Sequence, residues 1–279
     1  MREIRKGGKM NDYQLLGKLA KFVSELDYNH DFGKIDKTFV VSTGRTATKA
    51  LAYFFANMTR RLVMHEPPPN YFKENIEKYQ KGNKIIEKFK KDRAYYMHLA
   101  KMQNGKYIEL NNGLWNMVEE VVKEPNTRVL VMVRDPRTWI VSMMNRGAYQ
   151  KHDNWPRIVK QIEELKKEKP LRKLMMEWNL RNKKMMDHMN TNYLLVKYEE
   201  MYEKAKEIFD FMNFEDNIKE ILLKEFPKLK KHRINKSVAN IYPEFNNWNS
   251  KDKKMLYKIC GTTMERLGYE RIHTWEKSI

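Results

Sequence analysis

Five short apolar runs punctuate the chain: Thr38–Val41, Leu62–His65, Tyr107–Leu110, Arg128–Val133 and Tyr193–Val196, with helical stretches between them. That alternation constrains the fold more than any other feature. Runs rich in aliphatic and β-branched residues, with little polar interruption, suit strands buried on both faces. Short strands separated by helices predict βαβ units, hence a three-layer α/β fold with a mostly parallel five-stranded sheet flanked by helices. In such sheets ligands lie at the carboxyl ends of the strands. The polar residues that follow each run become the site candidates: the 42–49 loop, His65 and Glu66, Glu109 and Asn111, and Arg134 with Asp135.

The first of these carries the most chemistry. Thr38-Phe39-Val40-Val41 leads into Ser42-Thr43-Gly44-Arg45-Thr46-Ala47-Thr48-Lys49, and a helical run follows through Ala50, Leu51, Tyr53, Phe54 and Phe55. A strand, a tight polar turn and a helix N-terminus aim backbone N–H groups and the positive end of the helix dipole at one spot. A nucleoside-triphosphate loop needs G-x-x-x-x-G-K-[ST], with the last hydroxyl on Mg²⁺. Here Ala47-Thr48 precede Lys49 and Ala50 follows it, so the metal-binding hydroxyl is missing. A metal-free anion loop suits a sulfuryl group better than a terminal phosphoryl. After the fourth run comes Arg134-Asp135-Pro136-Arg137, with Ser142 about two helical turns on. Arg134 at a strand end can grip a phosphate. The same four residues also read as a strand-to-helix turn with an internal Arg–Asp pair, Pro136 sitting in the first turn.

The 279 residues hold 55 Lys and Arg against 36 Asp and Glu, a net charge of +19, which favours an anionic partner. The lysines are scattered, so much of the charge belongs to solvated helix faces. Cys260 is the single cysteine, which excludes an internal disulfide and fits a reducing compartment. No Cys/His pairs stand at zinc-ligand spacing. No stretch approaches the ~20 apolar residues of a membrane span. Gly17, Lys18 and Lys21 interrupt the N-terminal apolar stretch, a poor signal peptide, so a cytoplasmic protein is expected. One domain over 1–279 is expected, with 1–36 as a helical extension (Leu15, Leu16, Leu19, Phe22, Val23 and Leu26 recur at helical spacing). Two long connections, 67–105 and 148–190, are the segments expected to shape an acceptor pocket. Tyr95, Trp155 and Trp248 could stack on a ligand but fit packing better, and Cys260 reads as a small core residue.

Together the two anion motifs resemble the PAPS-dependent sulfotransferase family, whose fold is P-loop NTPase-like. Arg45-Thr46-Ala47-Thr48-Lys49-Ala50-Leu51 is similar to its 5′-phosphosulfate loop, and Val133-Arg134-Asp135-Pro136-Arg137 with Ser142 to its 3′-phosphate strand and helix. His65-Glu66-Pro67, Tyr107-Ile108-Glu109-Leu110-Asn111, Leu194-Leu195-Val196-Lys197-Tyr198-Glu199-Glu200 and the segment from Cys260 to Tyr269 continue the resemblance in the family's order. Ala47 stands where the family loop usually has glycine, and Lys49 where it has Thr or Ser.

The resemblance implies transfer of a sulfuryl group from PAPS to an acceptor hydroxyl, on a carbohydrate, releasing PAP without a metal. Residues 42–49 (Ser42, Thr43, Gly44, Arg45, Thr46, Ala47, Thr48 and Lys49) would hold the 5′ side. Arg134 and Ser142 would hold the 3′-phosphate, and Lys236 with Ser237 would close over the nucleotide. Arg45 would stabilise charge on the departing oxygen. Glu66 is the first choice as base, with His65 its rival on the strength of an unshifted imidazole. Glu109 and Asn111 would contact the acceptor, Glu109 being also a third candidate for the base. No nucleic-acid partner is expected. A metal-dependent nucleotide kinase and a non-catalytic basic nucleotide- or glycan-binding protein are the alternatives.

Overall fold

A computed structural model describes residues 32–71, 86–149, 167–187, 192–231 and 242–270. The expected N-terminal helix, Trp155, and Lys236 with Ser237 lie outside the described residues.

All five expected strands form: β1 (Asp36–Ser42), β2 (Leu62–His65), β3 (Lys106–Leu110), β4 (Thr127–Val133) and β5 (Tyr193–Lys197). They pair in the order β2-β3-β1-β4-β5, and every pairing is parallel. β1 is thus central. Its Val40 sits opposite Leu110 of β3 and Leu130 of β4, and Val131 sits opposite Leu195 of β5.

Alternation along the strands divides the core in two. Phe39, Val41, Tyr107, Val129, Val131 and Val133 point to one face. Helices α2 (Ile86–Gln103), α4 (Pro136–Met144), α5 (Pro170–Met186) and α8 (Ser250–Arg266) cover it with Phe89, Tyr96, Trp139, Trp178 and Cys260. A short α3 (Val118–Val121) adds Val118 and Val121. Val40, Ile108, Leu110, Leu130 and Met132 point to the other face. Covering them are α1 (Thr48–Met58), α6 (Ala205–Phe211) and α7 (Asp216–Glu225), through Leu51, Phe55, Phe209 and Leu222. Burying each such large side chain contributes roughly 1.5–3 kcal/mol. The described helices of the two long connections therefore belong to the core: α2 buries Phe89, Tyr96 and Met97, and the Met-rich α5 buries Met175, Trp178, Met185 and Met186.

Two helix starts differ in a way that matters for the site. At α4, Asp135 accepts from the Arg137 N–H at 2.8 Å, and Pro136 fills the first turn. At α1 the capping position is Ala47, and no side chain caps it.

Candidate active site

The loop between β1 and α1 takes its shape from three residues of positive φ: Gly44 at 86°, Arg45 at 61° and Ala47 at 59°. Glycine adopts this region freely, whereas a Cβ makes it cost ~1–2 kcal/mol. A backbone turned in this way gathers its amides into a concavity suited to an anion. Ser42, fully buried at the end of β1, holds the loop together. Its Oγ accepts from the Gly44 N–H and the Thr46 hydroxyl, both at 2.9 Å, and donates to Asn112 Oδ1 at 2.6 Å. One donor and two acceptor positions exhaust a hydroxyl. The Ser42 hydroxyl, expected at the nucleotide, is thus fully engaged within the loop and Asn112. The Thr43 hydroxyl, by contrast, is buried without a hydrogen-bond partner among the described residues.

Arg45 and Arg134 meet across this loop. Arg45 Nε donates to Ser142 Oγ at 2.8 Å, and Arg134 Nη1 donates to the Arg45 carbonyl at 2.9 Å. Trp139 Nε1 donates to the Gly44 carbonyl at 3.1 Å. The end of β1 is thereby pinned to the turn after β4, its neighbour in the sheet. Burial, then the nearby charges of Arg146 and Arg134, lower the Arg45 pKa to about 10. Arg134 is lowered as well, chiefly by burial. Cations crowded this way are primed for a multiply charged anion. The internal Arg–Asp pair of the turn forms, and it uses the second arginine. Arg137 pairs with Asp135, Nε at 2.8 and 2.9 Å, while Arg134 turns to the loop and lies over the Tyr198 ring at 5.0 Å.

Glu66 and His65 follow β2. The Glu66 N–H still donates to Leu110 at 2.9 Å, but its φ of 47° swings the chain out of the ladder. Its Oε1 accepts from Asn112 Nδ2 at 2.8 Å. Burial raises the Glu66 carboxyl above its usual range, opposed by hydrogen bonds from Asn112 and by the charge of Lys49. His65 Nε2 lies 3.4 Å from Thr48 Oγ1. Burial, then Lys49, depresses its pKa to about 4. The expected unshifted imidazole is corrected: His65 is neutral and a much weaker base than its free counterpart.

Glu109 and Asn111, expected at the acceptor, lie in a buried hydrogen-bonded cluster. Glu109 is fully buried and bound by Arg93 Nε at 2.7 Å, Arg93 Nη2 at 2.8 Å, the Tyr107 hydroxyl at 2.8 Å and Asn111 Nδ2 at 2.8 Å. Arg93 also reaches the carbonyls of Pro67 at 3.3 Å and Pro69 at 3.0 Å, tying down the turn just after Glu66. Asn111 Oδ1 accepts from the Gly113 N–H at 2.8 Å, starting a short 3-10 turn, Asn112–Leu114. A Cβ on Gly113 would fall 2.1 Å from the Asn70 carbonyl oxygen, so only glycine lets this turn pack against the chain beyond Glu66. Sequence reasoning missed Asn112, which the turn presents to both Ser42 and Glu66. The Asn-Asn-Gly that follows β3 was the available signal. Trp248 and Cys260 are core residues, Trp248 against Tyr242 and Phe245, and Cys260 Sγ 3.4 Å from the Met175 carbonyl. Tyr95 is half-buried against Tyr96.

A family model described as a sulfotransferase domain matches residues 37–225, more than half of the chain. The chain belongs to the sulfotransferase family. No curated protein matches it by sequence. Among solved structures, sulfotransferase STF9 from Mycobacterium avium matches this sulfotransferase with a TM-score of 0.56 at 10% identity, over 92% of this chain and 82% of that one. Mouse sulfotransferase SULT7A1 complexed with PAP matches with a TM-score of 0.49 at 17% identity, over 82% and 85%. Retinol dehydratase in a complex with retinol and PAP matches with a TM-score of 0.42 at 15% identity, over 89% and 86%. The first of these shows the shared fold. Among the described residues of the sulfotransferase, no helix is long and apolar enough to cross a membrane.

Proposed function

We propose that this sulfotransferase moves the sulfuryl group of PAPS to a carbohydrate hydroxyl by in-line, metal-free displacement, leaving PAP. One observation carries the reading: Arg45 and Arg134, from the ends of two adjacent strands, converge on one loop through Ser142 and the Arg45 carbonyl. The loop amides and the Thr43 hydroxyl would bind the 5′-phosphosulfate, with Thr46, Thr48 and Lys49 along its edge. Arg134 and Ser142 would hold the 3′-phosphate. PAPS supplies an activated sulfuryl group, and the chain supplies position and charge. Arg45 offsets the negative charge that grows on the bridging oxygen as the S–O bond breaks. Glu66 takes the acceptor's proton, and its raised pKa brings its basicity closer to neutral pH. The net charge of +19 suits an acidic glycan as acceptor. Residues 1–279 would form one domain acting in the cytoplasm, with segments 67–105 and 148–190 contributing to the acceptor site.

The test is a thermal melt with and without PAP, followed by transfer from labelled PAPS to a panel of glycans in the presence of EDTA. A rise in melting temperature with PAP, and label in a glycan, are expected. No shift at high PAP, or turnover that requires Mg²⁺, would overturn the reading.

A further inference from the structure

We propose that Asn112 is the positioning residue that aims Glu66 and locks it to the anion loop. This rests on the reading of Glu66 as the base. Three observations converge on the Asn112 amide. Its Oδ1 takes the Ser42 proton at 2.6 Å, its Nδ2 gives a proton to Glu66 Oε1 at 2.8 Å, and the same Nδ2 lies 3.5 Å from Thr48 Oγ1 at the start of α1.

The orientation of the amide is dictated by Ser42. Both acceptor positions of that hydroxyl are taken, by Gly44 and Thr46, so toward Asn112 it can only donate. It must therefore face the amide oxygen, and the amide nitrogen must face Glu66. The order of donors runs one way, from Gly44 and Thr46 through Ser42 and Asn112 to the carboxylate. With Oε1 held by the Asn112 side chain and the Asn112 backbone N–H also bonded to the carboxylate, Glu66 is fixed in one orientation.

The backbone supports the same arrangement. Asn112 opens the 3-10 turn fixed by Asn111 and Gly113, and that turn packs on the segment held by Arg93. Both ends of the Asn112–Glu66 bond are thus anchored to the sheet. The charge acting on Glu66 is that of Lys49 on α1, and the imidazole of His65 on β2 is neutral. Asn112 is an uncharged donor that favours the ionised carboxylate without competing as a cation for the incoming anion.

The test needs no nucleotide, so its failure is separable from failure of the sulfuryl-transfer reading. Carboxyl ¹³C NMR of protein labelled at glutamate, with Glu66→Gln used to assign the signal, follows the Glu66 titration in the wild type and in variants. Asn112→Asp keeps the shape and still accepts from Ser42, but loses the donor and adds a negative charge. The Glu66 midpoint is expected to move to higher pH in Asn112→Asp, and in the same direction by less in Ser42→Ala, where the amide loses its orienting partner. Asn112→Ala replaces the Asp variant if circular dichroism shows that it does not fold. A midpoint unmoved in the Asn112 variant overturns the proposal, as does a shift to lower pH.

Discussion

Arg93 on α2 and Glu109 on β3 are both fully buried and share two hydrogen bonds, of 2.7 and 2.8 Å. The rings of Tyr71, Phe89 and Tyr96 lie around the guanidinium, 5.1 to 5.8 Å from its centre. Through Arg93 the pair also holds the turn that follows Glu66.

Removing one partner strands the other charge in the core. Glu109→Ala is expected to lower stability by about 3–5 kcal/mol, measured by urea denaturation. A loss below about 1 kcal/mol would mean that the pair is not shielded from water as described.

Arg45→Ala should leave the fold in place, because the side chain serves a surface loop and not the core. Transfer from labelled PAPS should fall on the order of 10²–10³-fold, the usual loss when one stabilising donor is removed. Arg45→Lys should recover part of it. Unchanged turnover would remove Arg45 from the mechanism.

The two base candidates give different acid limbs in a pH–rate profile. With Glu66 as base, activity rises with pH through a midpoint above the ordinary carboxylate range, and Glu66→Gln lowers turnover far more than PAP affinity. With His65 as base, the limb sits near 4 and His65→Asn has that effect instead. On stability the sign for His65 is definite. The unfolded chain binds a proton at its imidazole near pH 6.5 and the folded protein only near 4, so stability falls as pH drops across that window. His65→Asn should flatten that fall, as read from denaturation midpoints at pH 7 and pH 5.

Ala47→Gly tests the strained corner of the loop. Relief of ~1–2 kcal/mol from the left-handed Ala47, less ~0.5–1 kcal/mol for the freer unfolded glycine, leaves a net gain of about 0.5–1 kcal/mol. PAP affinity, measured by calorimetry, should be retained. Ala47→Val should lose both stability and PAP affinity, because a branched side chain tolerates this conformation poorly.

The strands were legible because parallel strands buried on both faces are written as continuous apolar runs, which survive any uncertainty in register. That the 42–49 loop, Arg134 and Ser142 lie together was legible because their spacing follows directly from one strand end and one helix. Glu109 and Asn111 share a face with Tyr107, the face that α2 covers, so their burial could not be read from their place at a strand end. Arg93 sits in a lysine-rich helix, where sequence alone cannot distinguish the one cation that turns inward. Asn112 lay one residue beyond a correctly flagged strand end, and its partners come from two other strands.

The sheet order has a consequence for synthesis on the ribosome. The loop that follows the central strand is complete by Lys49, but Arg134 and Ser142, which hold it, belong to a strand and helix made some ninety residues later. A nascent chain shorter than that carries the loop sequence without its clamp. On the proposed reading, capture of the doubly phosphorylated adenosine would be deferred until the fourth strand has docked beside the first.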